Sequence, residues 1–65
     1  MGPVNVWIRP PAEADFLCRL CLRNVPRSAW VLGCYLPDTQ TIIAVADPYI
    51  LAHEFRHHFE GPFHP

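Results

Sequence analysis

The chain has no lysine; its five basic side chains are all arginine, against six acidic residues and a net charge of −1 with neutral histidine. A balance so close to zero removes the general electrostatic case for nucleic acid or an anionic membrane as a partner. All-arginine usage hints at a GC-rich genome and says nothing of function. No apolar run approaches the ~20 residues that cross a bilayer, and the N-terminus lacks the basic-then-apolar order of a signal peptide. The opening Met-Gly-Pro-Val-Asn-Val also fails the myristoylation pattern, which wants Ser or Thr where Val6 stands. Cysteine is scarce, and three cannot all pair within one chain. Without an export signal the simplest expectation is reduced thiols in the cytoplasm. Histidine is missing from the first 52 residues, and all four lie between 53 and 64.

Half of the chain is apolar, with two Trp, four Phe and two Tyr, so the composition is that of a globular protein. Sixty-five residues give one domain, 1–65, near the lower size limit for folding alone, where a small core often needs a staple. No linker, repeat or low-complexity segment interrupts it.

The pattern predicts a small α+β domain in the order β-α-β-β-α, a three-stranded sheet packed by two helices. Val4, Val6 and Ile8 alternate with Asn5, Trp7 and Arg9 as a first strand with one apolar and one mixed face, ended by Pro10-Pro11. Pro11 opens a helix with Glu13 and Asp15 near its positive end, a core stripe of Phe16, Leu17, Leu20 and Cys21, and Asn24 as its stop. After a connector at 26–28, Ala29 to Leu36 reads as a second strand with Gly33 as a bulge, and Pro37 to Gln40 as a turn. Thr41 to Ala46 is apolar at nearly every position, the mark of a strand covered on both faces.

The last stretch, Asp47 to His64, carries the chemistry. Asp47 is a good N-cap, Pro48 suits the first helical position, and Gly61-Pro62 ends the helix, which should span Pro48 to Glu60. Within it stands His53-Glu54-Phe55-Arg56-His57, an H-E-x-x-H pattern. On a wheel with His53 at zero, His57 falls near 40° and Glu54 near 100°, with Leu51, Ala52, Phe55 and Phe59 on a far side meant to pack. Two imidazoles one turn apart can aim at one zinc ion, with Glu54 beside them to take a proton from water. His58 points ~140° from His53 and is expected at a boundary rather than on the metal.

A strand, an apolar hairpin and a helix with Leu-Ala-His-Glu-Phe-Arg-His resemble the core of the zincin metallopeptidases, closely over TIIAVADPYILAHEFRHHFEGPFH and elsewhere only in element order. The resemblance implies that His53 and His57 bind zinc and that Glu54 is the general base. It fits no standard clan. Metzincins read H-E-x-x-H-x-x-G-x-x-H with a later Met-turn; here Gly61 and His64 each come one residue late, and the only Met is Met1. Crosslink proteases of the WLM type place His directly after Gly-Pro, where Phe63 intervenes. Gluzincins use a Glu from a later helix, which this sequence does not supply.

His64 is the expected third ligand, folded back by the Gly61-Pro62 turn. Glu60 is its rival on the same face, but its Cα lies ~10 Å along the axis from that of His53. It suits orienting an imidazole N–H, or a surface pair with Arg56 at i+4. Tyr35 and Tyr49 are candidate phenols for an oxyanion. Cys18-x-x-Cys21 with Cys34 could suggest a second zinc site, but a pair inside an amphipathic helix is expected as buried thiols acting as small hydrophobes. The expected function is zinc-dependent hydrolysis of a peptide or protein, bound along the free edge of the hairpin. The alternative is a zinc-stapled, non-catalytic binding or regulatory module, of the kind a phage or mobile element would carry, with a partner protein or second copy on the site. The Glu54 carboxylate separates them, since a structural zinc has no use for it.

Overall fold

The computed structural model describes residues 3–22, 25 and 28–62. The elements are β1 (Asn5–Ile8), α1 (Pro11–Cys21), β2 (Gly33–Leu36), β3 (Thr41–Ala44) and α2 (Pro48–Glu60), the expected α+β order. The sheet runs β1-β3-β2, with β1 parallel and β2 antiparallel to β3. The central strand is the one whose sequence is apolar throughout, and Thr41 to Ala44 are all buried.

Alternation along β2 puts the helices on opposite faces of the sheet. Cys34 is disulfide-bonded to Cys18 of α1, whereas its neighbour Tyr35 is hydrogen-bonded to His58 of α2. The α1 face holds the core of Ala14, Cys18, Cys34 and Ile43, flanked by Leu17, Val31, Leu36 and Val45.

The stripe of α1 differs from the expectation. Ala14 and Cys18 are buried and Leu17 is half-buried, while Phe16, Leu20 and Cys21 are exposed. Both stripes have helical spacing; small residues face inward because Cys18 must come within bonding distance of Cys34. The expectation of reduced, buried thiols is corrected by the same bond: Cys18 and Cys34 are paired across 16 residues and only Cys21 is free. Closing such a loop in the unfolded chain is worth about 3 kcal/mol. This is the staple a small core needs.

The second strand is shorter than expected, starting at Gly33 rather than Ala29. Side chains of α1 take the backbone groups that a longer strand would have offered. Asp15 accepts from the Val31 N–H at 2.8 Å and from Arg19 Nε at 2.9 Å, and Arg19 also donates to the Ala29 carbonyl. Beyond Gly33 one further ladder bond survives, Val45 N–H to Leu32 O at 3.0 Å. The third strand ends at Ala44 rather than Ala46. In β1 the expected apolar face is largely open: Val4 is half-buried and Val6 and Ile8 are exposed, as is Trp7 on the other face, because both helices pack on β2 and β3 and leave this edge strand uncovered. The first helix ends with Leu22 in an extended conformation, its N–H on Cys18 O; Asn24, expected as the stop, lies outside the described residues. Among the described residues no helix is long and apolar enough to cross a membrane.

Candidate metal centre

Local chemistry fixes α2 at the bounds its sequence indicates. Asp47 Oδ1 accepts from the N–H groups of Tyr49 at 2.9 Å and Ile50 at 3.3 Å, and Pro48 follows at the first position. At the other end Gly61 takes φ +71°, a backbone that suits glycine, and returns its N–H to His57 O at 2.8 Å.

The rotation of this helix is not that of the wheel. Glu54 is buried, at 6% exposure, and faces β2, while Ala52 and Phe59 of the supposed packing side are exposed. Gly33 explains the difference. A methyl group there would lie 2.6 Å from Ile50 Cγ2 and 3.2 Å from Glu54 Oε2, so only a residue without a side chain lets α2 turn Ile50 and Glu54 against the strand. Gly33 is thus a point of close approach and not a bulge; its φ is not positive, and it pairs in register with Ala44.

His53 and His57 come together one turn apart, ring centroids 4.9 Å from each other and planes at 79°. His57 Nδ1 lies 3.1 Å from the Gly61 carbonyl oxygen. A carbonyl can only accept, so Nδ1 is the donor in this contact. Metal-bound histidines are oriented in this way, by an outer acceptor that fixes tautomer and ring direction. His53, Glu54 and His57 all open onto one cleft of about 500 Å³, whose opposite wall is Gly33, Cys34 and Tyr35 of β2.

Tyr35 stands at this wall with its hydroxyl 2.8 Å from His58 Nδ1. The sequence alone predicts a boundary position for His58 and no partner. The signal was available: His58 is four residues after Glu54, and Tyr35 two after Gly33, so the same faces meet one step further along. Tyr49 is 87% exposed and lines no part of the cleft. Glu60 forms an exposed pair with Arg56 at 2.8 Å, and the acceptor on His57 Nδ1 is the Gly61 carbonyl. His64 lies outside the described residues. Among the described residues no three His, Cys, Asp or Glu side chains converge where they could hold one metal ion. His53 and His57 are the two described histidines that face this cleft together.

Fold and site together define a small α+β domain whose last helix presents an H-E-x-x-H segment along a cleft edged by a free strand. No protein-family model, curated protein or solved structure matches the chain.

Proposed function

We propose that the chain is a zinc-dependent hydrolase acting on peptide bonds, of the zincin-like kind its sequence resembles. The observation that carries this reading is the opening of His53, Glu54 and His57 onto one cleft, with His57 Nδ1 donating to the Gly61 carbonyl. His53 and His57 would hold the ion with His64 as third ligand; when bound, zinc supplies Lewis acidity and makes water a nucleophile near neutral pH. The residues of the chain do the rest. Glu54 takes a proton from the water that attacks the carbonyl carbon, and returns it to the amine as the C–N bond breaks. Tyr35, held by His58, offers its phenol to the oxyanion.

Substrate binding follows from the ladder. The bond from Val45 N–H to Leu32 O makes Leu32, Cys34 and Leu36 the residues bonded to β3, so the N–H and C=O groups of Gly33 and Tyr35 point to the free edge. An extended peptide added there would run along the cleft beside Glu54.

The competing reading, a zinc-stapled binding module, loses its main support to the disulfide, which already staples the core. No nucleic acid or membrane is proposed as a partner; a second copy is. The disulfide counts against the expected cytoplasmic setting, since reducing compartments keep most thiols unpaired.

The test is metal content by native mass spectrometry, followed by cleavage of a broad peptide library. One zinc per chain is expected. Glu54→Gln should keep zinc and fold but lose about 10²-fold or more in hydrolysis, the usual scale for removing a general base. A protein that takes up no zinc, or a zinc-loaded wild type that cleaves nothing, refutes the reading.

A further inference from the structure

The three cysteines are placed for more than a static crosslink. Cys18 and Cys34 join α1 to β2, and Cys21, the only free cysteine, is exposed at the last helical position of α1. Residues three apart on a helix have Cα atoms about 5 Å apart, within the span of about 4.4–6.8 Å that a disulfide bridges. Their Cβ atoms lie about 5–6 Å apart, so a closure of one or two ångströms suffices, with the exposed Cys21 side chain turning in toward the buried Cys18. The backbone leaves the helix directly after Cys21, with Leu22 extended, and the movement asks only for the last turn to adjust.

We propose that Cys21 exchanges with the disulfide, converting the Cys18–Cys34 crosslink between elements into a Cys18–Cys21 crosslink within α1. The Cys21 thiolate attacks Cys18 Sγ; the Cys21–Cys18 bond forms, the Cys18–Cys34 bond breaks, and the electron pair leaves on Cys34 Sγ. Cys34 then takes up a proton equivalent to the one Cys21 gave to solvent. One disulfide and one thiol are present before and after, so the step needs neither oxidant nor reductant.

The consequence falls on the cleft. Cys34 sits between Gly33, which backs on Glu54, and Tyr35, which bonds His58, and Cys34 and Leu22 both line the cleft. Exchange releases this strand from α1 while its pairing with β3 remains. The edge facing the cleft thereby gains freedom under control of the thiol state of the chain. The exchange does not depend on the hydrolase reading; its bearing on substrate does.

The experiment follows the thiol. Wild type with one disulfide, verified by intact mass, is held at pH 8, quenched in acid, alkylated with N-ethylmaleimide in denaturant and mapped by peptide mass spectrometry. Label is expected on both Cys21 and Cys34. In Cys21→Ser, which leaves the buried pair intact, the Cys34 label should be lost. The Cys34→Ser variant, oxidised in glutathione buffer, should form Cys18–Cys21. Wild type labelled at Cys21 alone overturns the proposal. So does Cys34 label that persists in Cys21→Ser, since it would not need Cys21. Zinc content and peptide cleavage enter none of these readouts, so their failure would leave this result standing.

Discussion

Gly33→Ala is the sharpest probe of how the strand meets the helix. Gly33 does not adopt a positive φ, so its backbone accepts alanine, and the entropy removed from the unfolded chain would by itself stabilise by about 0.4–1 kcal/mol. Against that stands the contact: the new Cβ would lie 2.6 Å from Ile50 Cγ2 and 3.2 Å from Glu54 Oε2. Overpacking of this kind costs about 1–3 kcal/mol, so the net change should be a loss of about 1–2 kcal/mol. Ile50→Ala removes Cγ2 at its own cavity cost, and in that background Gly33→Ala should turn near neutral or stabilising. The sign change is the prediction. Urea unfolding of the four proteins gives the coupling directly, expected at about 2 kcal/mol, within the range for residues in contact. Additive effects, with Gly33→Ala equally costly in both backgrounds, would refute the reasoning and the helix rotation it rests on.

Asp47→Ala should lower stability by about 1 kcal/mol by removing the carboxylate that caps α2, read as a shift in urea midpoint at unchanged slope. The Val31 N–H holds the Asp15 carboxyl below the ordinary aspartate range, against an opposing push from burial and with help from Arg19. A carboxylate depressed by folding contributes stability that is full above its unfolded pKa of about 3.9 and is lost as pH falls through the folded value. Unfolding midpoints measured from neutral pH downward should therefore fall less steeply in acid for Asp15→Asn than for wild type.

What the sequence reveals is what neighbours along the chain decide. The ends of α2 are legible because Asp47, Pro48 and Gly61 act within a turn of themselves. The central place of β3 is legible because Thr41 to Ala44 offer no polar face to solvent. The inward face of α1 is not, since Phe16-Leu20 and Ala14-Cys18 have the same period, and only the partner Cys34, 16 residues on, selects between them. The motif residues His53, Glu54 and His57 stand out by spacing, but their orientation follows from an absent side chain on another element. The acceptor on His57 is a main-chain carbonyl, which no residue type announces. Tyr35 was legible as a phenol and illegible as half of a pair with His58.

One strand therefore connects the two helices. Cys34 faces α1, while Gly33 and Tyr35 on either side of it face α2, so the position of β2 links α1 to Glu54 and His58. A small domain has little core with which to hold such a strand rigid, and three of the four buried residues on the α1 face are Ala14 and the two half-cystines. Removing a covalent tie there costs little apolar contact but much constraint. The effect should appear where the constraint is used, at the free edge of β2, rather than in the secondary structure of α1. The tie between Cys18 and Cys34 therefore acts twice, on the stability of the small core and on the position of the strand that walls the cleft.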